Sequence, residues 1–126
     1  MESIKRLPDS ELELMMIIWG AGQPVTSAYI MDKLSGTRNW AHTTVLNFLS
    51  RLVERGFLET SRQGRCNYYR PLVAEHDYLQ RESKSFLEKM HHSSVTNLVA
   101  SLYDGDAISR EDLEELKRFL KGVTEP

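Results

Sequence analysis

Thr43, Thr44, Asn47, Ser50, Arg51 and Glu54 recur at helical intervals between Ala41 and Arg55. At about 100° per residue they share one side of a helix, with Leu46 at its margin. Ala41, Val45, Phe48, Leu49 and Leu52 take the other side, and Val53 lies near its edge. The polar side carries groups that read base edges. Asn pairs with adenine in bidentate fashion, Thr offers a hydroxyl or a methyl, Arg reaches guanine or phosphate, and Leu46 can meet a thymine methyl. An ordinary solvated helix face has a similar composition. The neighbouring elements decide between the two readings.

Downstream, Arg62, Arg65 and Arg70 stand beside Gln63, Gly64 and Asn67. Phe57 to Arg62 reads as one strand, Gln63 and Gly64 as a turn, and Arg65 to Tyr69 as a second strand ended by Pro71. A hairpin so charged grips phosphates, which supplies affinity and salt dependence more than sequence choice. Tyr68 and Tyr69 point to opposite faces of a strand, so one belongs to the core and one to the surface.

Two earlier helices must position these groups. Leu12, Met15, Met16 and Trp19 recur on one face of a segment from Asp9 to Trp19; Asp9 and Ser10 can cap its start, and Gly20 and Gly22 release its end. Pro24 and Thr26 open a second helix with Ala28, Ile30, Met31 and Leu34, stopped by Gly36. Three helices and a basic hairpin make a winged helix-turn-helix, with the third helix, Ala41 to Arg55, in the major groove. Residues 1–73 are assigned to this DNA-binding domain.

From Ala74 onward the pattern is helical: about Glu75 to Met90, Val95 to Leu102, and a third helix opened by a capping box between Ser109 and Asp112. About 50 residues in three short helices cannot cover their own apolar faces, which favours burial against a second copy. Residues 74–126 are thus a three-helix dimerisation segment. The candidate contacts are Leu79, Phe86, Leu87 and Met90, then Val95, Leu98 and Leu102, then Leu113, Leu116, Phe119 and Leu120. The expected fold class is mainly α.

The formal net charge of −2 argues against nucleic acid only until the chain is divided. Residues 1–73 hold nine Lys or Arg against seven Asp or Glu, and residues 74–126 hold seven against eleven. Between Arg38 and Arg70 there are six arginines and only Glu54 and Glu59. That local imbalance suits a surface meeting phosphate. The longest apolar run, Leu14 to Trp19, is too short to span a bilayer, and no basic stretch with an apolar block opens the chain, so a cytoplasmic protein without membrane insertion is expected.

Other chemistry is set aside. His91 and His92 are adjacent, His76 is distant, and no Cys pair or His at i, i+4 completes a metal site. Asp104-Gly105-Asp106 hints at a calcium loop, but Ile108 occupies a position needing a ligand. Phosphate loop, nucleophile elbow and paired acids are all missing, so neither an enzyme nor a cofactor is expected. Cys66, beside Arg62 and Arg65, is either a plain strand residue or a redox-sensitive thiol acting on the wing.

The motifs resemble the penicillinase-repressor family, which includes the methicillin-resistance and copper-responsive repressors of bacteria. Leu12 through Trp19 is similar to that family's first helix, Trp40-Ala41-His42-Thr43-Thr44-Val45 to the start of its recognition helix, Arg51 through Leu58 to the end of that helix, and Tyr68-Tyr69 to the end of its wing. The resemblance implies a homodimer on two-fold operator DNA upstream of β-lactam resistance or stress genes, with half-sites about one or two helical turns apart. The DNA-contact set is then His42, Thr43, Thr44, Leu46, Asn47 and Arg51, with Arg62, Arg65 and Tyr68 on the wing. In the penicillinase branch a membrane-bound sensor protease triggers cleavage within the dimerisation helices; the family's pair there is Asn-Phe, and the matching bond here is Ser101 to Leu102. The copper branch takes up metal on a C-terminal cysteine cluster, and Cys66 is the one cysteine of this chain, so that mechanism is not expected.

Two alternatives remain from the sequence. The winged helix can be a scaffold whose C-terminal helices dock a heterologous protein, or the repressor can be released by a ligand or by oxidation of Cys66.

Overall fold

The computed structural model describes residues 6–125. In chain order it contains α1 (Asp9–Ala21), α2 (Ser27–Leu34), α3 (His42–Glu54), β1 (Leu58–Gln63), β2 (Cys66–Pro71), α4 (Glu75–Met90), α5 (Val95–Asp104) and α6 (Arg110–Thr124). It divides into two compact units, residues 1–82 and residues 83–126, with the boundary inside α4. The first unit therefore runs past Val73. Tyr78, on the first turn of α4, is buried among the core residues and its hydroxyl accepts the Leu7 N–H at 2.8 Å. Its ring also lies 5.8 Å from those of Trp19 and Phe57.

The first unit is three helices closed by a hairpin. Leu14, Met15 and Ile18 of α1 meet Ile30 and Leu34 of α2 and Val45, Leu49 and Leu52 of α3, with Phe57, Leu58 and Tyr69 from the hairpin. Burying such side chains contributes on the order of 1.5–3 kcal/mol each. The inward face of α1 differs from the sequence reading: Glu11, Leu14, Met15 and Ile18 are buried, and Met16 is exposed. Spacing of i, i+3, i+4, i+7 was correct, but the charge of Glu11 hid the register. Asp9 and Ser10 do not cap α1, which starts from Pro8 without a side-chain cap. Proline suits a helix start because its missing N–H has no partner to lose there.

Strands β1 and β2 pair antiparallel, from Leu58 opposite Pro71 to Gln63 opposite Cys66. The turn is Gly64-Arg65, one residue later than Gln63-Gly64, with Gly64 at φ 64°. A positive φ at the first central residue only is the two-residue hairpin that matches strand twist and favours glycine. Val25 makes an isolated bridge to the hairpin: its N–H donates to the Tyr69 carbonyl at 3.1 Å and its carbonyl accepts the Tyr69 N–H at 2.7 Å.

In the second unit α5 is capped by Ser94 and runs to Asp104, two residues past Leu102. Asp104 thus ends a helix and does not open a calcium loop. The capping box of α6 is present as expected, Ser109 and Asp112 each bonding the other's N–H at 3.0 and 2.9 Å. Between α4 and α5, His91 is buried with Nδ1 2.7 Å from Asn97 Oδ1, while His92 is exposed. Among the described residues no helix is long and apolar enough to cross a membrane.

Candidate nucleic-acid interface

Helix α3 is amphipathic because its apolar residues fall on the face that α1 and α2 cover. Val45, Leu49 and Leu52 are buried, Phe48 and Val53 partly so. Ala41, expected inside, is exposed as the residue that precedes the helix. Thr43, Asn47, Ser50, Arg51 and Glu54 are all exposed, and Thr44 and Leu46 are half-buried at the two margins. The structure thus keeps the predicted polar side together as one open helix face. His42 is exposed at the start of α3, where its Nε2 lies 3.0 Å from the Ser27 hydroxyl on the first residue of α2.

The approach of the chain to α3 is fixed by groups that sequence reasoning missed. Glu13 accepts bonds from Arg38 Nε and Nη2, at 3.0 and 2.5 Å, and the guanidinium lies 5.2 Å from the centre of the Trp40 ring. Trp40 meets Phe48 edge-on at 5.2 Å. The Arg38 guanidinium holds the Glu13 carboxyl below the usual carboxylate range. At the other end of α3, Arg55 Nη1 donates to the buried Glu11 carboxylate at 2.5 Å.

On the wing, Arg62 and Arg65 are exposed, Arg65 within the two-residue tip that Gly64 turns. Tyr69 is buried and Tyr68 half-buried, which resolves the pair that alternation left open. Burial pushes the Tyr69 phenol upward. Strand alternation places Arg62 opposite Asn67 on the Tyr69 side, whereas Tyr68 lies opposite Ser61 on the side that carries Arg70. Arg62 and Tyr68 therefore belong to opposite faces of the hairpin. Arg70, expected to grip phosphate, is bonded to Glu59 directly across from it.

The six arginines from Arg38 to Arg70 are sorted by these contacts. Arg38, Arg55 and Arg70 are paired with Glu13, Glu11 and Glu59. Among the described residues, Arg51, Arg62 and Arg65 have no carboxylate partner; Arg62 has a 3.5 Å contact with the Asn67 amide oxygen. The unpaired charges lie on the open face of α3 and on the wing. They offer sites for phosphate or guanine without first giving up an ion pair.

Among the described residues no group of three or more metal-ligating side chains converges. Cys66 is exposed at the start of β2. In the C-terminal helices, Leu79, Phe86, Met90, Val95, Leu102, Phe119 and Leu120 are exposed, as are Tyr103 and Val123, which the sequence reading did not include. Leu87, Leu98, Leu113 and Leu116 are half-buried. Ser101 and Leu102 are both exposed on the last two turns of α5, with the Ser101 carbonyl accepting the Gly105 N–H at 3.1 Å.

The penicillinase repressor family model matches residues 7–122. The chain is 31% identical to the penicillinase repressor of Bacillus licheniformis over 121 residues, covering 96% of this chain and 94% of that one. It is 26% identical to the methicillin resistance regulatory protein MecI of Mammaliicoccus sciuri, over 90% of this chain and 92% of that one. The solution structure of monomeric Bacillus licheniformis BlaI in complex with the blaP half-operator aligns with a TM-score of 0.52 at 33% identity, covering 62% of this chain and 94% of that one.

Proposed function

The chain belongs to the penicillinase repressor family, and on that premise we propose that this DNA-binding transcriptional repressor works as a homodimer on a two-fold operator. Helix α3 lies in the major groove, where Thr43, Thr44, Leu46 and Asn47 meet base edges and Arg51 reaches guanine or phosphate. His42, Arg62, Arg65 and Tyr68 hold the backbone. The sorting of the six arginines from Arg38 to Arg70 supports this reading, since among the described residues the three of them without a carboxylate partner, Arg51, Arg62 and Arg65, lie on the open face of α3 and toward the tip of the wing.

The second copy covers the apolar faces of the C-terminal helices. Phe119 and Val95 are 63% and 62% exposed in a single chain, in a region where no residue of α5 or α6 is buried. Large apolar side chains exposed in such number in one segment mark a surface that takes a partner. The relatives' names, penicillinase and methicillin resistance, point to β-lactam resistance or a related stress response as the regulated process. Release by a membrane-bound sensor protease follows the same likeness, with the Ser101–Leu102 bond as the scissile one. That bond is helical and hydrogen-bonded, so the end of α5 must unwind before a protease can hold it extended. The repressor acts in the cytoplasm and needs no cofactor or catalytic group.

Titration of DNA from upstream of its own gene, against random duplex of equal length, tests the proposal. The expected preference is about a thousandfold or more, with affinity falling steeply as salt rises. Equal affinity for the two duplexes would sink it. The mass of the protein from induced cells tests release separately, since cleavage leaves a fragment ending at Ser101 and an intact chain after full induction removes the protease from the account.

A further inference from the structure

One acidic residue on the wing shares the hairpin face of Tyr68 and has no part in that reading. Glu59 stands directly opposite Arg70 in the β1–β2 register, and their side chains form an ion pair in which both remain about half exposed. The register makes this pairing a property of the backbone as well as of side-chain rotation, because residues directly opposite on one face sit about 5 Å apart at Cβ. Arg70 is on the same face as Tyr68, two residues away. A surface ion pair of this kind contributes at most about 1 kcal/mol to folding. Stability is therefore a weak reason for Glu59 to be there.

We propose that Glu59 is an affinity-limiting residue, which holds the Arg70 guanidinium away from phosphate and so keeps the sequence-independent part of DNA binding low. The inference rests on the placement of the wing on the DNA backbone. Each cation that joins the phosphate surface releases about one counterion and steepens the salt dependence by about 0.9. Glu59 withholds one such cation from the wing, leaving the cations of Arg62 and Arg65 unpaired. The consequence is a repressor whose residence depends on base contacts by α3 and on the dimer, and one that leaves readily when the dimer is weakened.

The test is a double-mutant cycle on the full-length protein, with affinity for random duplex and for the upstream duplex measured across a salt series. Glu59→Gln should raise affinity for both duplexes by about fivefold at 0.15 M salt and steepen the salt slope by about 0.9, as one further phosphate contact requires. Arg70→Gln should change little, and Glu59→Gln with Arg70→Gln together should return to the wild-type slope. If the double variant keeps the whole gain, Glu59 acts by repelling DNA itself and the proposal is overturned. No gain from Glu59→Gln, while Arg65→Ala lowers affinity, overturns it too and leaves the wing assignment standing. If neither variant changes affinity or slope, the wing does not touch the duplex and both readings fall. Unchanged thermal unfolding of Glu59→Gln keeps the comparison on binding, since both partners are exposed.

Discussion

Glu11 and Arg55 lie 44 residues apart in sequence and form one ion pair, Arg55 Nη1 to Glu11 Oε1 at 2.5 Å, with the carboxylate 1% exposed and the guanidinium 36% exposed. It ties the first turn of α1 to the residue that caps α3. The two ends of the pair differ in their access to water. Arg55→Ala leaves a buried carboxylate without a partner and should cost about 3 kcal/mol in denaturant unfolding. Glu11→Leu leaves a guanidinium that can turn to solvent and should cost less. Equal losses from the two would mean that Glu11 is better hydrated than its burial indicates.

Asn47→Ala and Arg65→Ala should separate base reading from backbone grip. The first removes a bidentate partner for adenine and should relax preference at one base pair by about 1–3 kcal/mol, with the salt slope retained. The second should weaken binding to all duplexes alike and reduce the slope by about one. Competition against a set of singly substituted operators reads both. A uniform loss from Asn47→Ala would place that side chain outside the groove.

Phe119→Glu should convert a dimer to a monomer at micromolar concentration. The side chain is 63% exposed within one chain, so a charge there meets water in the monomer and meets a buried apolar face only in the assembly. Sedimentation should show the smaller species, circular dichroism an unchanged helix content, and operator affinity a large loss. A variant that stays dimeric would move the interface away from α6.

Tyr78→Phe should destabilise the first unit by about 1–3 kcal/mol, because it leaves the buried Leu7 N–H without an acceptor. The same phenol predicts alkaline behaviour. Burial raises its pKa above the ordinary value of 10.0, so its contribution is complete below pH 10 and is lost as pH rises through the folded value. Unfolding of the wild type followed from pH 9 to pH 11.5 should show that loss, diminished in Tyr78→Phe.

At the acid end the sign reverses. The bond from Arg38 holds Glu13 below its ordinary 4.5, so its contribution is present above that pH and disappears as pH falls through the lower folded value. Glu13→Gln should make the first unit less sensitive to acid in that window, by a small amount because the pair is half exposed. A carboxyl titration by NMR at or above 4.5 would remove the basis for this expectation.

The sequence by itself determined the order of elements, the polar and apolar sides of α3 and the capping box of α6. Each follows from periodicity or local hydrogen bonding, which is encoded within a few residues. The face exposing Thr43, Asn47 and Arg51 was legible for that reason. What only the tertiary structure decided involves partners remote in sequence. The burial of Glu11 against Arg55, the bond from Arg38 to Glu13, and the bridge that Val25 makes to Tyr69 join residues 25 to 44 positions apart, and no local pattern announces them. Even the Glu59–Arg70 pair required the register of the hairpin, because a slip of one residue would turn every side chain to the other face. Between Arg38 and Arg70 the sequence holds six arginines, but folding joined three of them to carboxylates and left Arg51, Arg62 and Arg65 on the surface proposed to meet DNA. Charge is fixed by the sequence, whereas its availability depends on which groups the fold brings within reach.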